Sequence, residues 1–592
     1  MTESPRAKDR TEAIESGRSV LVSDCPGMSL ILSQRDAECS LCAHKFIERT
    51  FRVTVFRHQW RYQVMSKRPI VDTTAGRVQG VRHGGIDVFK GIPYAASVAA
   101  NGRFLPAREP APWAGVRDAA QYGPLAMQVV PNRAPERRSA DQALRDPFIG
   151  NQDLFRPMSE DCLVLNVWTP SISDHLKRPV MLWVHGGGFV RGVGDADWHD
   201  GTRLAREQDV VVVQLNHRLN VFGFLSLVEF GGADYANSGN TGLLDIVTAL
   251  QWVHRTIEAF GGDRDNVTLF GQSGGGAKIS ALLAMPAAQG LFHKAVVQSG
   301  SIVRAQTQDE ASSTTAAVFR ALDLAPTDID GLLRSAPEQV LDAYASAVKA
   351  GHNFMPVVDG STLSNDPFAP DAPSVSASIP LLVGTTKDEN RLELATVPPG
   401  SREFTETNLQ TDLNRFGVSD EALDYVWRSY AARRPGSSPA EIYFDVKTDA
   451  CFRANAILQA ERKAAQNEAA VYMYLFSWEE FSGRLRSPHV VDVPFVFNNV
   501  DRAPGLTGPQ PDPRCFTLGM TVSSAWAAFA RTGSPQTSGL PDWNRYTSER
   551  RETMVLGYDS EEVSDPRRDD RLAMQALGSD FPPLGGWVGL AP

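Results

Sequence analysis

The chain has 592 residues, 42% of them hydrophobic, and a formal net charge of −10. This composition supports a large core, and an acidic balance without a long basic run argues against nucleic acid as a partner. No stretch approaches the roughly 18 consecutive apolar residues that a membrane-spanning helix needs, so no membrane span is predicted.

The first 64 residues differ from the rest of the chain. They mix charges, cysteines and arginines without a sustained hydrophobic period, which predicts a disordered or non-native extension over 1–64. Folded patterning begins close to Met65, the expected natural start, and predicts one domain over 65–592. Cys39 and Cys42 have C-x-x-C spacing, but no second pair follows, so a metal site is not expected. No signal-peptide pattern opens the chain, and we expect a cytoplasmic protein.

A glycine-rich turn follows an apolar strand pattern at 180–184. The turn reads His185-Gly186-Gly187-Gly188-Phe189. Consecutive glycines after a strand let backbone N–H groups come close to a substrate oxygen, although a plain glycine turn would look the same. We expect His185 to hold this loop through a hydrogen bond rather than to transfer protons.

A second turn, Gly271-Gln272-Ser273-Gly274-Gly275-Gly276, matches the pattern G-x-S-x-G. Apolar residues at helical spacing over 243–260 predict a helix, 266–270 reads as a strand, and 277–285 predicts another helix. A sharp strand-to-helix turn exposes a serine at the positive end of a helix, where its hydroxyl can act as a nucleophile. The pattern therefore favours Ser273 as a nucleophile on a parallel α/β sheet.

A serine nucleophile needs a histidine base and an acid, which follow in the order serine, acid, histidine in this arrangement. Ten of the eleven histidines lie at or before His352, so chain order leaves only His489. The apolar run 379–384 is followed by Asp388 and Glu389, and Asp359 follows another apolar run at 354–358. Position alone does not separate these three acids.

Further segments resemble the type-B carboxylesterases, the family that includes cholinesterases and bacterial para-nitrobenzyl esterases. Residues 159–167 (SEDCLVLNV) are similar to a signature of this family, and so are 89–95 (FKGIPYA) and 526–533 (WAAFARTG). The resemblance covers roughly 69–560. It implies an α/β-hydrolase fold, with a central, mostly parallel sheet flanked by helices and helical insertions around the active-site pocket.

The same resemblance implies ester hydrolysis through an acyl-enzyme, with a small-molecule ester as substrate and no cofactor or metal. We expect a monomer or a weak homo-oligomer. A lipase or an amide or carbamate hydrolase would use the same triad, and a non-catalytic binding module could share the fold. The implied site comprises a triad and three oxyanion donors: Ser273, Glu389 and His489, with Gly187, Gly188 and Gly274.

The chain departs from the family pattern close to these residues. Gln272 stands where glutamate is usual, and Gly274 stands where alanine is usual. Asn390 replaces a glycine after the acid, and Asp492 replaces a glutamate after the histidine. None of these changes removes a catalytic atom.

Two further features are interpreted as structural. Secreted family members bridge the equivalent of Cys162 to an upstream cysteine, but Ala126 occupies that upstream position here, so this disulfide cannot form. Two ion pairs, Arg103 with Glu160 and Arg218 with Asp245, are expected to belong to the scaffold, because buried charges are usually paired.

Overall fold

The computed structural model describes residues 68–129, 156–396, 400, 402–414 and 417–578. The extension expected over 1–64, with its Cys39 and Cys42, lies outside the described residues.

The described residues form a large central sheet and a small three-stranded one. In the central sheet the strand order is β14-β13-β12-β11-β10-β9-β7-β8-β6-β4-β3, and in the small sheet it is β1-β2-β5. The strands, numbered in chain order, are β1 Ile70–Asp72, β2 Arg77–Gln79, β3 Val81–His83, β4 Ile86–Pro93, β5 Val116–Asp118, β6 Val164–Thr169, β7 Arg178–Val184, β8 Val211–Leu215, β9 Gly262–Gln272, β10 Lys294–Gln298, β11 Leu381–Thr386, β12 Val471–Phe476, β13 Glu552–Leu556 and β14 Glu561–Ser564.

The middle of the central sheet is parallel and its edges are antiparallel. Strands β8, β7, β9, β10, β11, β12 and β13 run parallel to one another. Strands β3, β4 and β6 on one side and β14 on the other pair antiparallel. Because parallel strands share a direction, the loops that follow β7, β9 and β11 all leave from the same edge of the sheet.

Helices cover the sheet and fill the long connections. They are α1 Thr202–Gln208, α2 Asn220–Phe224, α3 Val228–Gly231, α4 Thr241–Thr256, α5 Gly274–Leu282, α6 Gln308–Ala321, α7 Ile329–Arg334, α8 Pro337–Lys349, α9 Glu393–Thr396, α10 Glu406–Asn414, α11 Asp420–Arg433, α12 Pro439–Thr448, α13 Ala454–Ala465, α14 Val493–Val496, α15 Pro504–Thr507, α16 Pro513–Thr532 and α17 Arg568–Met574. A π-helical turn, Asp449–Arg453, joins α12 to α13. Within the described residues, no helix has the length and apolar character that crossing a membrane requires.

The core lies on both faces of the sheet, and β7 shows why. Val180, Leu182 and Val184 pack into the larger hydrophobic cluster, whereas Met181 and Trp183 pack into a second cluster on the other face. Successive side chains of a strand point to opposite faces, so a strand buried on both sides needs an uninterrupted apolar run. The apolar run at 180–184 meets this requirement and continues directly into the glycine-rich turn.

Candidate active site

Ser273 occupies a sharp turn between β9 and α5. Its backbone angles are φ 57° and ψ −126°, an unusual conformation for a residue with a side chain. The Ser273 N–H donates to the Gln298 carbonyl at 2.8 Å, which anchors the turn to the end of β10. The residue is 7% exposed. Strain at a single residue, held by a neighbouring strand, is typical of a functional turn.

The glycines after Ser273 allow backbone to pack directly on backbone. A Cβ atom on Gly274 would lie 2.1 Å from the Gly188 carbonyl oxygen, and one on Gly275 would lie 1.9 Å from the Val184 carbonyl oxygen. The predicted helix therefore begins at Gly274 rather than at 277, since the glycines serve this close approach. As a result, the turn that carries Ser273 lies against the turn that follows β7.

His489 and Glu389 form a fully buried pair. His489 Nδ1 lies 2.5 Å from Glu389 Oε2, and both side chains are 0% exposed. The other carboxylate oxygen of Glu389 accepts the Thr386 N–H at 2.8 Å, which fixes the carboxylate at the end of β11. A neutral imidazole that donates from Nδ1 keeps a lone pair on Nε2, the form that a general base requires.

Gln272 connects this pair to the serine turn. Its side-chain nitrogen lies 3.0 Å from Nε2 of His489. The residue directly before Ser273 thus contacts the histidine that holds Glu389, so the structure brings together three segments that are far apart in the chain. The sequence indicated an unusual residue at Gln272 but gave no signal that its side chain would contact His489.

The sequence also gave no indication of a contact between Phe452 and His489. The ring of Phe452 lies 4.9 Å from the His489 ring, measured between centroids. Phe452 belongs to the π-helical turn Asp449–Arg453, an irregularity often found at functional sites. Nothing in the letters DACFR distinguishes this turn from ordinary helix.

The two alternative acids occupy other positions. Asp388 accepts the Ser487 N–H at 3.3 Å, and burial raises its pKa above the usual value. Asp359 accepts the backbone N–H groups of Ser361, Thr362 and Leu363, which organises a loop. Of the three acids considered, Glu389 is the one whose carboxylate contacts His489.

The loop after β7 is held so that the Gly187 N–H has a defined direction. Nδ1 of His185 donates to the Gly186 carbonyl at 2.8 Å. In a trans peptide the carbonyl of one residue and the N–H of the next point in opposite directions. Binding of the Gly186 carbonyl by His185 therefore turns the Gly187 N–H away from the imidazole, as the expected loop-holding role of His185 requires.

The other two expected donors are directed in the same way. The Gly187 carbonyl accepts the Arg191 N–H at 3.1 Å, so the Gly188 N–H points away from that contact. The Ser273 carbonyl accepts the Ala277 N–H at 3.0 Å inside the helix, so the Gly274 N–H points out of the helix N-terminus. Each of the three peptide groups is held by a hydrogen bond from within the protein.

Asp492 lies one turn after His489 and is fully buried. Its Oδ2 accepts the Gln298 amide at 2.8 Å and the Tyr474 hydroxyl at 2.9 Å. Burial, with the nearby Glu389 charge, raises the pKa of Asp492 to about 6. This carboxylate and its two donors support the segment that carries His489.

The residues interpreted as scaffold also form their expected contacts. Arg103 binds both carboxylate oxygens of Glu160 at 2.6 Å, and Arg218 Nη2 lies 2.7 Å from Asp245 Oδ1. Cys162 is a buried free thiol.

Comparison with known proteins supplies independent findings. The model of the carboxylesterase family matches residues 67–575. The chain is 36% identical over 515 residues to a para-nitrobenzyl esterase of Bacillus subtilis (strain 168), which covers 85% of this chain and 97% of that protein. It is 33% identical over 529 residues to a phenmedipham hydrolase of Pseudarthrobacter oxydans, which covers 87% of this chain and 100% of that protein.

A solved structure agrees with these sequence matches. The crystal structure of a Geobacillus stearothermophilus carboxylesterase superposes with a TM-score of 0.75 at 37% sequence identity. The match covers 86% of this chain and all of that chain.

Proposed function

Because the chain belongs to the carboxylesterase family and is therefore a carboxylic ester hydrolase with the α/β-hydrolase fold, we propose that it works through a Ser-Glu-His triad and an acyl-enzyme. The proposed nucleophile is Ser273, the base is His489 and the acid is Glu389. The proposed oxyanion donors are the N–H groups of Gly187, Gly188 and Gly274.

One observation carries this assignment. His489 lies between Glu389 on one ring nitrogen, at 2.5 Å, and the residue preceding Ser273 on the other, at 3.0 Å. A serine hydroxyl is activated by a histidine whose Nδ1 is held by a carboxylate and whose Nε2 faces the turn that carries the serine.

In the first half of the reaction, the Ser273 hydroxyl attacks the ester carbonyl while Nε2 of His489 takes its proton. Glu389 holds the imidazole in the required tautomer and stabilises its protonated form. The Gln272 amide must give up its contact with Nε2 as the serine hydroxyl engages it. The negative oxygen of the tetrahedral intermediate is stabilised by the three glycine N–H groups. His489 then protonates the leaving alcohol.

In the second half, water attacks the acyl-enzyme with His489 again acting as base, and Ser273 is released with a carboxylic acid product. The proposed substrates are small-molecule esters. The name of the Bacillus subtilis relative makes para-nitrobenzyl esters the first class to assay.

The test is Ser273→Ala, assayed against a chain-length series of para-nitrophenyl esters and against para-nitrobenzyl acetate. We expect kcat to fall by at least about 10⁴-fold while the variant remains folded. A fluorophosphonate should add to the wild type at Ser273 and leave the variant unlabelled, as read by peptide mass. Ser280→Ala is the matched control, because Ser280 is a buried serine on α5 whose hydroxyl donates to the Gly276 carbonyl at 3.0 Å and accepts the Gln459 amide at 3.0 Å, away from the proposed triad. Unchanged hydrolysis by the Ser273→Ala protein would overturn the assignment.

A further inference from the structure

Lys278 is a buried cation on the helix that follows Ser273, and the proposed mechanism does not use it. Its side chain is 0% exposed, and Nζ donates to the His185 carbonyl at 3.1 Å. Within the described part of the chain, no carboxylate forms an ion pair with it, and burial is the only resolved influence on its pKa. Buried lysines are ordinarily paired with an acid, so this position calls for an explanation.

The groups that face Lys278 are two imidazoles and an aromatic ring. The rings of His185 and His217 stack with their centroids 4.8 Å apart, and Nζ lies 5.9 Å from the centre of the Phe189 ring. Burial, and then the Lys278 charge, hold the pKa of both histidines well below the usual value. Lys278 is therefore the group of this cluster that can carry charge near neutral pH.

The contact that Lys278 makes lies at the start of the oxyanion loop. The loop begins with the His185 carbonyl, which Nζ binds, and the His185 ring in turn binds the Gly186 carbonyl and so directs the Gly187 N–H. A buried carbonyl left without its donor costs free energy, so removal of Nζ would favour a rearranged loop. A chain of two hydrogen bonds thus links Lys278 to one of the proposed donors.

We propose that Lys278 is a positioning residue for ester hydrolysis, which holds the His185 peptide at the base of the oxyanion loop and places an unpaired positive charge behind it. The proposal rests on the proposed function of Gly187. A positive charge in a water-excluded site stabilises a negative charge that develops nearby more strongly than it would in water. Lys278 acts through the loop and the field, without touching the substrate.

This role has a pH signature. Burial lowers the pKa of Lys278 to about 7, so the charge is present at pH 6 and absent at pH 9. The neutral amine still donates to the His185 carbonyl, so deprotonation removes the field and keeps the contact. The rate should therefore decrease in a partial step near pH 7 as the pH rises.

The experiment compares wild type with Lys278→Met, using a soluble para-nitrophenyl ester between pH 5.5 and 9.5. At pH 6.5 we expect kcat of Lys278→Met to fall about tenfold or more, with KM within about twofold of wild type. This loss is smaller than the decrease of about 10²–10³-fold in kcat that follows complete removal of an oxyanion donor. The downward step near pH 7 should be absent from the variant. Lys278→Gln, which keeps a hydrogen-bond donor but removes the charge, should also lose the step. It replaces Lys278→Met in this comparison if the methionine variant does not fold.

Lys463→Met is the matched control. Lys463 is also 0% exposed, and its Nζ donates to the Ser376 and Ala377 carbonyls at 2.7 Å, away from the loop. Its loss should lower the melting temperature and leave kcat and the pH profile unchanged. An equal loss of kcat in both lysine variants, or a wild-type profile in the Lys278 variants, overturns the proposal. A wild type that is inactive, or that a fluorophosphonate does not label at Ser273, contradicts the proposed function instead.

Discussion

His489 Nδ1 lies 2.5 Å from Glu389 Oε2, and neither side chain has any solvent-exposed surface. In a dry environment this contact fixes both the orientation of the ring and the nitrogen that carries the proton. It also depends on a single oxygen, because Oε1 of Glu389 is already bound by the Thr386 N–H.

Glu389→Gln should therefore reduce kcat by about 10⁴-fold with little change in KM. A glutamine can keep one contact with Thr386, but its amide nitrogen facing Nδ1 would favour the wrong tautomer of His489. The measurement is kcat and KM with a para-nitrophenyl ester, with circular dichroism to verify folding. Asp388→Asn is the control, since this neighbouring acid faces the Ser487 N–H, and its kcat should stay within about threefold of wild type. If the two variants lose the same activity, the acid has been assigned incorrectly.

Gly274→Ala should reduce kcat by about 10²-fold, although alanine is the residue that the family resemblance leads one to expect. In this structure the added methyl would lie 2.1 Å from the Gly188 carbonyl oxygen and 2.4 Å from the Gly188 nitrogen. Contacts this short require one of the two turns to move, which separates two of the proposed donors. Kinetics at saturating ester would reveal this as a loss in kcat. Gly539→Ala, where the nearest atom would lie 3.7 Å away, is the control. Wild-type activity in Gly274→Ala would show that the two turns are not rigidly packed.

Gln272→Glu should move the acid side of the kcat/KM profile to higher pH by about one pH unit. The side-chain nitrogen of Gln272 lies 3.0 Å from Nε2 of His489, and a carboxylate there would stabilise the protonated ring. Gln272→Met removes the same contact without adding charge, and its profile should keep the wild-type midpoint. Identical midpoints in the glutamate and wild-type proteins would contradict the contact.

Asp492→Asn should change the pH dependence of stability. Burial raises the pKa of Asp492 from 3.8 to about 6, so between pH 4 and 6 the folded protein binds a proton that the unfolded chain has released. The free energy of unfolding contributed by this group therefore falls as the pH rises through that window. Relative to wild type, the asparagine variant should gain up to about 3 kcal/mol between pH 4 and pH 7.

Urea unfolding at several pH values would measure this change. Asp570→Asn is a useful contrast, because the pKa of Asp570 is about 2, below its usual value. Burial alone would raise this pKa, but the hydrogen bond from Arg434 and the surrounding arginine charges outweigh that effect. Its contribution is complete above pH 4 and is lost only in stronger acid, so the difference between wild type and Asp570→Asn should stay constant from pH 4 to 7. A constant difference for Asp492→Asn as well would show that Asp492 is not protonated in that range.

The sequence predicted the central strands well, because a strand buried on both faces requires a continuous apolar run. The predicted strand at 180–184 is the end of β7, and the one at 379–384 overlaps β11 Leu381–Thr386. Boundaries were less accurate. The helix predicted over 243–260 ends as an α-helix at Thr256 and continues as a 3-10 turn, Ile257–Phe260, before Gly261 in the left-handed region.

The candidate site was predictable where it depends on backbone patterns and not where it depends on side chains from distant segments. Glycine has a poor helix propensity, so three glycines hid the true start of α5, and close backbone contacts with Gly188, Val184 and Gly300 explain them. The contacts of Gln272 with His489 and of Lys278 with His185 join segments 217 and 93 residues apart, and no local pattern reports them. Chain order selected His489 as the candidate base, whereas the choice of Glu389 over Asp388 came from the family resemblance alone.

Glycines in the Ser273 turn pack directly on the backbone of the loop after β7. This packing limits which positions can be varied to change substrate preference. A library that randomises Gly187, Gly274 and Gly275 would yield mostly clones with displaced turns, since each added Cβ would fall within 2.3 Å of a main-chain oxygen. Altered substrate preference would have to come from residues whose side chains border the site without entering this contact, of which Phe452 beside His489 is one. These two turns would stay constant while their surroundings vary.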